Sequence, residues 1–185
     1  MVAIANHGSW ELINRLIEEN GTEFLLALGR TAGAEERKTP HIHWVIGNSP
    51  IDYHNCVVRA NLTPDTANEE IRASIATFRM HRVPGTWHIG PSMQPSDLGE
   101  RLVQHGFSYG GDDIGMAIEL DKLPDQVSVP AGLIIERVQD KQGLRAWVDA
   151  LGQEFGEGET EAQWVGEMYH RIGLVDELPW RHYLA

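Results

Sequence analysis

The sequence predicts a mixed α/β protein of the α+β kind, with a mixed, largely antiparallel sheet flanked by helices. Three observations predict it. Short apolar runs alternate along the chain with longer stretches whose apolar residues recur every three or four positions. One run, Ile114 to Leu120, alternates with the strand period of two. The 185 residues are 42% hydrophobic, enough for a substantial core.

Ser9 to about Gly29 reads as helix, because Trp10, Ile13, Leu16 and Ile17 share one face and Phe24, Leu25 and Leu28 repeat it. Asn20-Gly21 is expected to split this stretch into two helices, since glycine weakens a helix and suits its C-terminal cap. Thr31 to Pro40 reads as a polar connector. Two short strands follow, His41 to Gly47 centred on Trp44-Val45-Ile46, and Asn55 to Leu62. After the turn Thr63-Pro64-Asp65-Thr66 comes a helix with Thr66 and Glu69 at capping-box spacing. Its buried stripe is Ile71, Ile75 and Phe78, and Val83-Pro84-Gly85 stops it.

Thr86 to Gly90 reads as a strand with Trp87 and Ile89, and Pro91 to Pro95 as a loop. A short helix over Asp97 to His105 is expected to be capped by Ser96 and ended by Gly106. In the strand that follows, Ile114, Met116, Ile118 and Leu120 point one way and Gly115, Ala117, Glu119 and Asp121 the other.

The Pro-flanked stretch Leu123 to Pro130 marks a domain boundary, giving a first lobe over residues 1–125 and a second over 130–185. The second opens with a strand, Leu133 to Val138. Its first helix carries Leu144, Trp147, Val148, Leu151 and Phe155 at helical spacing. Thr160 and Gln163 form a capping box for the next helix, with Trp164, Val165, Met168 and Ile172 inward. Trp147 and Trp164 are both expected to face inward. Trp180 to Leu184 begins another strand, so the second lobe is expected to be truncated at Ala185, and to need a sheet or a second copy of the chain to cover its helices.

Lys and Arg total 15 against 27 Asp and Glu, a formal charge of 15 − 27 = −12. That balance argues against a phosphate-backbone binder and against docking on anionic lipid. Neither a nucleic-acid nor a membrane partner is therefore expected. The single cysteine, Cys56, lies in the apolar run Cys56-Val57-Val58 and is expected to be buried and inert. No stretch approaches the roughly 18 apolar residues of a membrane span. With neither a signal nor a disulfide framework, a cytoplasmic setting is expected.

Several constellations raise a chemical question. His41-x-His43 places two imidazoles on one face of a strand, with His54 or Asp52 as further ligands. A catalytic zinc site needs three protein ligands and supporting partners, and nothing else has that spacing, so strand-edge or surface histidines and no metal are expected. Asp112-Asp113 is read as part of a turn with Gly110-Gly111, because neighbouring residues diverge. Ser96, Ser108 and Ser128 lack a nucleophile-elbow context. No glycine-rich phosphate loop of the dinucleotide or Walker type occurs. The strand-to-helix turn from Leu62 to Glu70 is the natural anion seat, yet it carries Asp65, Glu69 and Glu70 and no glycine, so a self-capped helix is expected there.

Leu98 to Leu120, with Gly106-Phe107, a turn and the strand Gly115-Met116-Ala117-Ile118-Glu119-Leu120, resembles part of the GCN5-related N-acetyltransferases. Thr86-Trp87-His88-Ile89-Gly90-Pro91 looks like the strand before that family's last helix, and Leu133 onward looks like the opening of a second such lobe. The resemblance implies an acyl-CoA N-acyltransferase-like fold, acetyl-CoA as cofactor and transfer of its acetyl group to an amine or other small molecule. The family's pyrophosphate turn, [RQ]-x-x-G-x-[GA], is missing at Leu62 to Glu70, and the position of its frequent tyrosine acid is Leu102. The expectation is a degenerate first lobe in part of an acetyltransferase that is inactive as this chain alone and binds acetyl-CoA weakly or not at all. The alternative is a non-catalytic binding or regulatory lobe. No catalytic or cofactor-binding residue is assigned, and a homodimer through the second lobe is open.

Overall fold

The computed structural model describes residues 7–31, 33–124, 128–154, 159–174 and 180–185. Sheet and helices combine as an α+β protein, with two compact units, Met1–Ile118 and Glu119–Ala185. No described helix is long and apolar enough to cross a membrane.

In the first unit a four-stranded sheet runs in the order β1 (Glu35–Lys38), β2 (Ile42–Ile46), β3 (Asn55–Ala60), β4 (Thr86–Trp87). The first three strands are antiparallel neighbours, and β4 lies parallel to β3. A parallel neighbour requires a crossover, supplied here by α2 (Pro64–His81). Every residue of β2 is buried, as expected of a strand covered on both faces. Ile42, Trp44 and Ile46 pack with Val57, Ile71, Phe78, Trp87, Leu98 and Leu102, which brings in α2 and α3 (Leu98–Gln104). Val45 turns the other way and joins Cys56, Val58 and Leu26 of α1 (His7–Thr31). Each large side chain fully withdrawn from water contributes roughly 1.5–3 kcal/mol.

The helix stripe of α2 follows its spacing: Ile71 and Phe78 are buried, with Ile75 partly so. Ser74 on the same face accepts a 3.1 Å bond from the Trp87 indole. Arg82 ends the helix in a left-handed conformation, and Gly106 does the same service after α3 with φ of 94°.

Five expectations for this unit are corrected. Asn20-Gly21 does not split α1, which runs unbroken through both residues. One glycine costs a helix only about 1 kcal/mol, and the second half of α1 is anchored by buried Leu26 and Leu28 and by Thr22, whose hydroxyl donates to the Val58 carbonyl at 3.3 Å. Thr31 to Pro40 is not all connector, for Glu35–Lys38 pairs with β2 as an exposed edge strand. The capping box of α2 is Thr63 with Thr66, and the helix already begins at Pro64, where a missing N–H is harmless. Ile114 to Asp121 forms no strand: residues up to Glu119 lack regular structure, and Leu120–Lys122 is a short 3-10 turn. The cap residue of α3 is Asp97 rather than Ser96.

In the second unit α4 (Lys141–Glu154) packs on α5 (Glu159–Ile172), and β5 (Glu136–Arg137) pairs antiparallel with β6 (Tyr183–Leu184). The helices approach closely where Gly166 faces Val148, a β-carbon there falling 2.6 Å from Val148 Cγ1. Trp147 meets Tyr169 edge-on at 4.7 Å and His182 at 4.6 Å. Trp164 is half-buried, whereas Met168 and Ile172 are buried. Thr160 is not a cap, since it lies within α5, and Phe155 falls outside the described residues.

Candidate functional site

In a parallel strand pair joined by a helix, ligands gather at the carboxyl ends of the strands, where the helix N-terminus points. Here that place is the end of β3, the start of α2 and the chain that follows β4. Sequence analysis marked Leu62 to Glu70 as the anion seat, and the structure closes it. Thr66 N–H donates to Thr63 Oγ1 at 3.3 Å, and Thr63 N–H donates to Thr66 Oγ1 at 3.1 Å. Pro64 has no N–H to offer. The first-turn amide left over is that of Asp65, beside its own carboxylate.

A cation is present but committed. Arg101 of α3 donates to the Pro64 carbonyl at 2.9 Å and to Asp97 at 2.9 Å. Asp97 and then Asp65 hold the guanidinium protonated, and Arg101 in turn pulls the Asp97 carboxyl below its ordinary range.

The strands are also sewn together beyond β4. His88 N–H donates to the Val57 carbonyl at 3.0 Å, then residues 89–93 loop outward. Gln94 brings the chain back: its N–H donates to the Ala60 carbonyl and its carbonyl accepts from Leu62, both at 3.1 Å. Under the loop is a cavity of about 330 Å³ lined by Ile89, Met93, Gln94, Pro95, Leu98 and neighbours, none of them titratable. A pocket of this lining can hold a neutral group and can neither donate nor remove a proton. Leu102, at the position of the expected acid, is buried in the core.

The remaining candidates are dispersed. His41 is exposed and precedes β2, while His43 is buried and bonds Glu36 at 2.7 Å, so the two do not present a shared face. Arg30 grips the same Glu36 with two 2.7 Å bonds, and its guanidinium, followed by His43, lowers that carboxyl to about 2. His54 is buried, with Nδ1 2.9 Å from Ser49 Oγ, and burial lowers it to about 4. Its Nε2 and Asn55 Oδ1 are buried without a hydrogen-bond partner. Among the described residues no three of His, Cys, Asp and Glu are arranged to hold a metal.

Cys56 is buried, and burial pushes its thiol up to about 12, which makes it a poor nucleophile. Asp112 and Asp113 are exposed beside Gly111, which has a φ of 125°, and the stretch around them has no regular structure. Ser96, Ser108 and Ser128 are exposed. Arg30, Glu36, Gln94 and Arg101 carry the polar architecture and were not singled out in the sequence; the Asp97–Arg101 pair has helical i,i+4 spacing, whereas the others find their partners through the fold.

No protein-family model, curated protein or solved structure matches the chain at a significant level.

Proposed function

We propose that this chain is part of an acetyl-CoA-dependent N-acetyltransferase, and that its first unit is a lobe without catalysis of its own. The element order supports the family: antiparallel β1, β2 and β3, a parallel β4 reached through α2, then α3 ending at Gly106-Phe107. The observation that carries the non-catalytic role is the α2 N-terminus. The Thr63 and Thr66 amides are taken by each other's hydroxyls, Pro64 has none, and the remaining amide is that of Asp65, whose carboxylate stands where a pyrophosphate would need positive potential. A net charge of −12 adds to that repulsion. The acetyl donor and the amine acceptor therefore belong to a catalytic part outside this unit. The single buried thiol suits a cytoplasmic setting.

Isothermal titration of the 185-residue chain with acetyl-CoA tests the non-catalytic half. No saturable heat is expected, and a low-micromolar dissociation constant, about −8 kcal/mol of binding, would overturn it. The double variant Pro64→Gly, Asp65→Gly tests the family half by restoring an N–H and removing a carboxylate. Gain of coenzyme A binding in the folded variant, checked by circular dichroism, is expected. A folded variant that still ignores coenzyme A would overturn the acetyltransferase assignment.

A further inference from the structure

Ser108 to Ile118 leave α3 and run along the first unit with no backbone hydrogen bond to any other described residue. The run leans on α1 through Gly115, where a β-carbon would lie 2.9 Å from Ile17 Cγ2. Ile114, Met116 and Ile118 alternate with it and are 87%, 86% and 58% exposed. At Gly115 the backbone of the run therefore lies close to α1, while its large apolar side chains meet water. An unpaired backbone that bears period-two apolar side chains is a template for another strand. Such a run also exposes more apolar surface than isolated side chains do.

Both ends of the run are acidic. Asp112 and Asp113 precede Ile114, Glu119 and Asp121 follow Ile118, and Lys122 is the one cation between positions 112 and 122.

We propose that residues 113–118 are a docking strand for another protein. The partner supplies a β-strand whose alternate apolar residues cover Ile114, Met116 and Ile118 and whose two ends carry Lys or Arg. Charge selects this occupant over a second copy of the chain. Two copies paired antiparallel about Met116 would set Asp113 opposite Glu119, and paired in parallel would set every carboxylate beside its twin; like charges across a ladder repel.

The test uses the full chain and two fluorescein-labelled peptides, Lys-Lys-Val-Thr-Val-Thr-Val-Lys-Lys and the same sequence with Glu at all four end positions. Fluorescence anisotropy should show the basic-ended peptide binding at least about ten-fold tighter, near 1.4 kcal/mol. Added salt should narrow the gap. Met116→Lys, at a position too exposed to disturb the core, should weaken binding by at least about ten-fold. Proline at Met116 and, separately, at Ala117 removes successive N–H groups that point to opposite edges, so only one of the two should abolish binding. Equal binding of both peptides, binding of neither, or indifference to Met116→Lys would overturn the proposal. So would sedimentation showing a dimer that Met116→Lys dissociates, because the surface would then belong to a second copy.

Discussion

Glu36 and His43 meet across the β1–β2 pair, Oε1 of the carboxylate 2.7 Å from Nε2 of a buried imidazole. Arg30, at the end of α1, holds the same carboxylate by both oxygens. One acidic side chain on an exposed edge strand thus ties a helix to the sheet.

The Glu36 carboxyl falls from its ordinary 4.5 to about 2 in the folded chain. A depressed folded value means that its contribution is complete above 4.5 and is lost as pH falls through 2. Partial exposure of the Arg30 pair screens the effect. Glu36→Gln should cost about 1–2 kcal/mol at pH 7. It should also flatten the loss of stability between pH 4.5 and 2. Urea midpoints of both proteins across that range check it, and parallel curves would refute it.

His54 supplies a second window. Its imidazole is lowered from 6.5 to about 4 by burial. The unfolded chain therefore takes up a proton that the folded chain refuses, so stability is complete above 6.5 and falls as pH drops through 4. The loss by pH 4 is on the order of 2–3 kcal/mol. His88 is lowered for the same reason and adds in the same direction. A His54→Asn variant, less stable throughout, should show a shallower decline between pH 6.5 and 4 by urea titration.

Thr63→Ala removes the side-chain half of the α2 cap and should cost about 1 kcal/mol, read as a lower thermal midpoint. Thr63→Ser keeps the hydroxyl and should restore most of it. Equal losses in the two variants would mean that the cap contributes nothing.

Cys56 should resist thiol reagents. Burial and a thiol pushed up to about 12 leave almost no accessible thiolate at pH 8. An aromatic disulfide reagent should react slowly with the native chain and within seconds in about 6 M urea, since the barrier is unfolding. Fast reaction with the native protein would place Cys56 at the surface.

How much of this was legible follows the range of each signal. The stripe Ile71, Ile75, Phe78 gave α2 its inner face, and the apolar run Trp44-Val45-Ile46 marked β2 as a strand, because these patterns are written locally. Glu35–Lys38 carries no such pattern, since an edge strand with four exposed charged residues is held only by its neighbour's ladder. The run Ile114 to Ile118 shows the reverse case. Its alternation says which residues share a side and says nothing about whether a neighbouring strand is present. At α2 the closed seat was expected from Asp65, Glu69 and Glu70; Pro64 at the first helical position was the signal for the true start. Gln94, and Arg101 in its bond to the Pro64 carbonyl, act through partners more than 30 residues away, a range that no spacing rule reaches.

The stacked rings of the second unit make that unit its own optical reporter. Tyr169 stands edge-on to Trp147 at a separation where excitation passes from phenol to indole, and His182 lies against the same indole. A protonated imidazole quenches indole emission, and a neutral one does so far less. Burial keeps His182 neutral, so Trp147 glows while the rings stay packed and dims when acid or heat lets a proton reach them. Trp10, Trp44 and Trp87 are the tryptophans of the first unit, so replacing all three with phenylalanine would leave a chain whose fluorescence follows the loosening of α4, α5 and β6.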